Sequence, residues 1–365
     1  FFNFWYKSAI AYTDPDPIDI SCSSEYPAIV YSGIQTNAGL VLFTENQQFL
    51  VTTDSDILST RTAKISSLSA YNFNKQTNPI PLGTTIAFLD NAGKYNRLWE
   101  MSTVFREGEP IVVEQSKIVS NLIDTSLDLT AISRENQVLF LSKQGSNKLF
   151  VFQYQTSGDK RIQQAWVTWE LHGEIQHMAM FDDSLFAIIK DKDVYSIQRI
   201  ALKTLSDSIE ITDDRGTTSD TSDDLDYRVY LDNGTVIKAA QLGYSSTTGR
   251  TGFTIPTNFD ATSANKIVIF CHSAGDDNGR YTDQATIVGS GANANIEFNG
   301  NWTGQDLTVG YLYDMEVQLP TIYRQLAAGD SFKSDIHKSL VVHRIKLSLG
   351  PSGLYTTTLS RLIQT

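Results

Sequence analysis

The chain has 365 residues, 41% of them hydrophobic and 19% charged, enough to fill one large core or two ordinary ones and too apolar to stay unfolded. Lysine and arginine number 29 against 41 aspartate and glutamate, a formal charge of −12 with no basic run, which excludes a protein that grips nucleic acid by displacing counterions. Cys22 and Cys271 are too few for a disulfide framework and read as buried free thiols of a protein made in a reducing cytosol. No apolar stretch approaches the ~18 residues that a membrane span needs.

In chain order, residues 1–6 are aromatic and read as a strand or a packed arm. Phe1 stands where an initiator methionine would, and 359–365 end without a turn or tail, so a longer protein is expected. From residue 40 an apolar run, a polar turn and a second apolar run make a hairpin: 40–43, the turn at Glu45 and Asn46, then 49–51. The unit returns at 86–89 with 98–101, at 138–141 with 149–152, and at 185–189 with 194–197, roughly 46 to 52 positions apart. A hairpin at that period is how a β-propeller blade looks in sequence. Runs at 27–31, 127–132 and 175–180 read as inner strands of the blades, and 63–73 as an outer strand. Trp166 and Trp169 are three apart, so a strand sets them on opposite faces. Helical spacing is weak and confined to 114–122 and 321–328.

The composition shifts near residue 205. Residues 207–226 are dense in Asp, Ser and Thr and read as a loop or a polar hairpin. Short apolar runs at 227–230, 235–240, 266–271, 293–298 and 307–313 follow at the spacing of a small β-sandwich. The expected fold is therefore all-β: propeller blades over 1–204, an inserted β-sandwich-like domain over 205–316, and a return to the propeller over 317–365, truncated at its C-terminal end. In that last stretch Ile345, Leu347 and Leu349 alternate with Lys346 and Ser348 before a turn at 351–353.

Nothing in the sequence assembles a reaction centre, and no catalytic, cofactor-binding or metal residue is assigned. The five histidines (His172, His177, His272, His337 and His343) lack partners at zinc-ligand spacing. Asp276 to Gly279 resembles part of a calcium loop, but Ala274 and Ala285 fall where its anchoring acids belong. Ser157 and Asp159 begin the Asp-box of sugar-cleaving propellers, which Arg161 and Gln164 then break. Gly289 and Gly291 lack the third glycine and the helix of a dinucleotide loop. Asn301 to Thr303 fits a glycosylation sequon. Solvated turns account for the Asp-rich tracts.

Several stretches, however, carry a residue-level likeness: 1–6 (FFNFWY), 16–20 (DPIDI), 39–50 (GLVLFTENQQFL), 82–93 (LGTTIAFLDNAG), 106–110 (REGEP), 311–316 (YLYDME) and 342–346 (VHRIK). The chain resembles the tail tubular protein B family, the tail nozzles of short-tailed bacteriophages. The likeness is dense over 1–123 and thin in the insert. It implies a structural virion protein of the tail, assembled in the host cytoplasm. Six copies would form a ring beneath the tail adaptor (tail tubular protein A), with tail fibres attached around it. Double-stranded DNA would leave the capsid through the bore without sequence-specific binding. The family supplies no catalytic residues and no cofactors. A rival reading makes 205–316 a host-surface glycan-binding module, with Trp302 and the tyrosines stacking on sugars. A third, an enzyme acting on envelope polysaccharide, rests on fold analogy alone.

Overall fold

A computed structural model describes residues 16–22, 24, 27–102, 110–124, 126–157, 160–203, 210–213, 219–222, 225–228, 230–273, 277–317, 323–328, 331–335, 344, 346 and 358. The chain divides into two compact units, Phe1–Leu205 and Ser206–Thr365. The fold is all-β, built from several separate sheets, one of them curled into a half-barrel.

The first unit contains three antiparallel meanders. The first comprises β1 (Ser32–Thr36), β2 (Gly39–Phe43), β3 (Gln48–Thr53) and β4 (Ala63–Ser69). The second comprises β5 (Ile80–Pro81), β6 (Thr85–Asp90), β7 (Arg97–Ser102) and β8 (Val112–Glu114). The third has six strands: β9 (Leu129–Ser133), β10 (Val138–Ser142), β11 (Ser146–Ser157), β12 (Lys160–Phe181), β13 (Ser184–Asp191) and β14 (Val194–Ala201). Tight turns fix the registers. Thr44 closes the β2–β3 turn by donating its Oγ1 to the Gln47 carbonyl at 2.7 Å. Asp182 and Lys192, at φ 49° and 54°, take the left-handed conformation that two-residue hairpins require.

Strand alternation distributes apolar side chains among three cores. Val41, Phe43, Ile86 and Phe88 join the first meander to the second, with the Phe43 ring 5.0 Å from Phe73 and 5.4 Å from Phe88. On the opposite face of β6, Ala87 and Leu89 join Leu98, Leu139, Leu141 and Phe152 in a second core. The other face of β10, Val138 and Phe140, turns into a third core with Val151, Ile175, Met178 and Leu185. All five residues of β10 are buried because its two faces serve two cores. Trp166 lies 4.7 Å from Phe152 in the second core and Trp169 lies 5.8 Å from Phe140 in the third, so the two indoles occupy opposite faces as expected.

The third and fourth sequence repeats do not make separate sheets. β12 runs for 22 residues, pairing with β11 over its first part and with β13 over its last. The register slips between Ile175 and His177, and β9 also approaches β12, so the sheet curls. Other expectations are corrected. The described part of 321–328 is not helical: β25 (Arg324–Ala328) is a strand paired to β26 (Ser331–Asp335), and 321–322 lie outside the described residues. The inner strand expected at 27–31 begins at Ser32, although the Tyr31 N–H still donates to the Phe43 carbonyl. The region 114–122 holds one 3-10 turn, Lys117–Val119. The alternation at 345–349 lies largely outside the described residues.

In the second unit the acidic tract becomes a two-stranded ribbon, β15 (Glu210–Asp213) with β16 (Leu225–Arg228). Two four-stranded sheets follow. One is ordered β17 (Asp232–Ile237), β24 (Leu307–Tyr311), β20 (Ile267–Cys271), β21 (Tyr281–Thr282). The other is ordered β18 (Gly243–Ser245), β19 (Arg250–Thr254), β23 (Asn295–Asn299), β22 (Thr286–Val288). They share one apolar core containing Phe253, Ile269, Ile296, Phe298, Trp302, Leu307 and Val309.

Candidate functional site

The most elaborate polar cluster of the first unit lies where β7 meets β11 and β12. The Glu100 carboxylate accepts two hydrogen bonds from the Arg161 guanidinium, at 2.6 and 2.8 Å. It also accepts from the Thr85 hydroxyl at 2.6 Å and from the Gln115 amide at 2.7 Å. The guanidinium lies 4.7 Å from the Tyr154 ring centre, and the two charged side chains are only 17% and 9% exposed. Burial pushes the Tyr154 phenol up, against the pull of Arg161. Every lone pair of the carboxylate has a donor, and the guanidinium is held from two sides. That geometry staples two sheets together and leaves no group poised for proton transfer. A second cluster, Asp90 with Arg97 and the Trp99 indole N–H, closes the β6–β7 hairpin in the same manner.

A cleft of about 510 Å³ is lined by Asp124, Lys143, Ser146, Asn147, His172 and Glu174. Among the described residues no group of three or more His, Cys, Asp or Glu is placed to hold a metal ion. His172 lies 3.3 Å from the Gln198 amide, and His177 sits apart on the exposed side of β12. His337 and His343 lie outside the described residues.

The remaining sequence candidates prove to be structural turns. Asp277 accepts from Arg280 and Gln305, Gly279 follows at φ 82°, and Asp276 lies outside the described residues. Asp220 accepts from the Ser222 N–H and hydroxyl. Asn301 accepts from Thr303 at 3.1 and 2.7 Å. Gly291 opens a single 3-10 turn. Ser157 and Arg161 lie at the end of the β11–β12 hairpin. Neither Cys22 nor Cys271 is in a disulfide; Cys22 is half-buried, and Cys271 is buried, which raises its pKa. Trp302 does not face solvent. It is 3% exposed, donates its indole N–H to the Asn299 carbonyl, and has the Arg280 guanidinium 4.1 Å above its ring. The motive for sugar stacking at that position is thereby removed.

His272 packs beside β24, its Nδ1 3.0 Å from the Thr308 hydroxyl. Burial holds its pKa below 6.5, against the nearby Asp306 carboxylate. Asp306 is itself held below the ordinary carboxylate range by Lys238 and by the Ala239 N–H. The unfolded chain therefore protonates His272 first. Its contribution to stability is full above the unfolded-state value near 6.5 and is lost as the pH falls from there through the lower folded-state pKa. The melting midpoint of the second unit should drop on acidification in that window, before the carboxylates titrate. His272→Asn should lose this component in a pH series of thermal melts.

Two features escaped the sequence reading: the Glu100–Arg161 pair, 61 residues apart, and a bare apolar face on β12 to β14. The pair leaves no local signal. The face does, since Tyr195 and Ile197 alternate with polar residues in a strand that ends its sheet.

Comparison with known proteins supplies the frame for this geometry. The family model of the bacteriophage nozzle protein matches residues 1–364. Tail tubular protein gp12 of Escherichia phage T7 is 22% identical over 324 residues, which cover 85% of this chain and 38% of that protein. The chain thus spans well under half the length of this relative. Among solved structures, Kuenenia stuttgartiensis hydrazine synthase superposes with a TM-score of 0.30 at 11% identity, over 67% of this chain and 60% of that one. So loose a likeness bears on neither fold nor chemistry. The family match runs almost from end to end, and so the chain belongs to the bacteriophage nozzle protein family, as a structural component of the tail of a short-tailed phage virion.

Proposed function

We propose that the chain is part of a hexameric ring that forms a tube through which the genome leaves the capsid. The observation that carries this reading is the nozzle family match over residues 1–364. The charge agrees with it. A net −12 without a basic run repels phosphate, and a conduit works best when its wall does not hold the duplex in transit. In this reading the two four-stranded meanders and the two halves of the curled sheet are successive blades of a propeller. Residues 205–316 are a β-sandwich inserted between blades, and 317–365 contribute further strands to the wheel. The way β6 and β10 each face two cores supports stacked blades. The tail adaptor would sit above the ring, tail fibres around it, and the host cell surface below.

Electron microscopy of the full-length protein, alone and with the adaptor, tests the proposal. Six-fold rings are the expected result. Monomers under both conditions would overturn it.

A further inference from the structure

The sheet ordered β17, β24, β20, β21 turns one face inward, where Ile237, Leu307, Val309, Ile269 and Cys271 enter the core of the second unit. The residues between them point the other way. The register sets Val236, Thr308, Phe270 and Tyr281 in one row across all four strands of that outer face. The outer face of such a sheet is ordinarily polar. Here the Phe270 and Tyr281 rings stack at 5.4 Å and 27°, and Tyr281 is 60% exposed.

A polar row borders the aromatic one. The His272 N–H donates to the Asp306 carbonyl at 3.0 Å, and its Nδ1 lies 3.0 Å from the Thr308 hydroxyl. Asp306 accepts from the Lys238 ammonium at Oδ2 and from the Ala239 N–H at Oδ1, both at 2.9 Å. Each carboxylate oxygen keeps a second lone pair, and the ammonium, on a side chain 66% exposed, keeps two further donors. Burial leaves His272 neutral at pH 7, and Lys238 and Asp306 balance each other, so the row carries no net charge. The two rows span three strand spacings by one step along a strand, about 14 Å by about 7 Å. That is on the order of 100 Å², against the ~800 Å² per partner that a stable protein interface buries. A patch this small and uncharged fits neither a protein partner nor a phosphate.

We infer that this outer face binds an uncharged saccharide. The C–H side of a sugar ring packs on the Phe270–Tyr281 pair, and hydroxyl groups at its rim donate to Asp306 and accept from Lys238. Sugar recognition needs that combination of an aromatic surface with donors and acceptors at its edge. The site lies on the side of the sheet opposite Trp302, which belongs to the core. It is contained in one chain and holds whether or not rings form.

The test presents the full-length protein to a printed array of neutral and acidic oligosaccharides, then titrates the strongest neutral binder by calorimetry. Tyr281→Ala should weaken that binding about tenfold or more, and Tyr281→Phe should leave it within about twofold, because the ring and not its hydroxyl makes the contact. Lys238→Ala should weaken it about threefold or more at an unchanged melting temperature, since an exposed ion pair adds little to stability. Tyr195→Ala, a comparably exposed tyrosine of the first unit, should change nothing. If Tyr281→Ala lowers the melt, Lys238→Ala carries the test by itself. No binding anywhere on the array would overturn the inference. Binding confined to acidic sugars would overturn it too, because charge and not stacking would then be the cause. Neutral binding that survives both Tyr281→Ala and Lys238→Ala would put the site elsewhere and overturn it as well.

Discussion

Arg161→Ala is expected to destabilise the first unit by about 3–5 kcal/mol, because it strands a buried carboxylate. Glu100 would keep its bonds from Thr85 and Gln115 but lose the one cation bound to it among the described residues, in a site where its side chain is 9% exposed. Exposed pairs such as Lys148–Glu170, with side chains 53% and 62% exposed, should each change stability by no more than about 1 kcal/mol. The pair ties β7 to β12, so its loss should loosen one sheet from the next while leaving the hairpins intact. Urea unfolding followed by tryptophan fluorescence reports this directly, because Trp99, Trp166 and Trp169 all lie in that unit. A double variant, Glu100→Gln with Arg161→Met, removes both charges and should recover part of the loss. A single variant that unfolds at the unaltered urea concentration would show that the staple contributes nothing.

Gly173→Ala is the second large effect, at about 1–3 kcal/mol. Gly173 lies where β12 passes from β11 to β13. A methyl group there would sit 2.6 Å from the Lys190 carbonyl oxygen and 2.9 Å from Ile189 Cγ2. The obstacle is backbone, so the strand itself must shift, and with it the curl of the six-stranded sheet. Gly93→Ala is the control. Its added methyl meets nothing closer than 3.6 Å and should change stability by less than about 0.5 kcal/mol. Thermal melts of the two variants side by side give the comparison. Equal midpoints would mean that the bend at Gly173 is not required.

The hairpins were legible because apolar alternation and short polar turns are local signals. Residues 40–43 with 49–51, and 185–189 with 194–197, lie within the observed strands. The merger of the third and fourth repeats was not legible. His172 and Gly173 look like a break between two strands, yet β12 continues through them, since glycine lets the backbone approach β13 closely. Residues 325–328 favour a helix by composition, but pairing with β26 overrides that preference. β18, β21 and β22 are too short to show a period. Trp302 illustrates the limit for site reading. Sequence shows an aromatic ring but not its exposure, and a core residue and a sugar platform share one letter. The family likeness, by contrast, was carried by stretches such as 39–50 and 82–93. They shape β2, β3 and β6, strands whose apolar residues must fit facing sheets.

The account stands or falls on what the assembled tail looks like, and an image of the whole particle at side-chain resolution is the direct measurement. It should show six copies around a bore wide enough for duplex DNA. A single copy per tail, or a closed disc without a central passage, would contradict it.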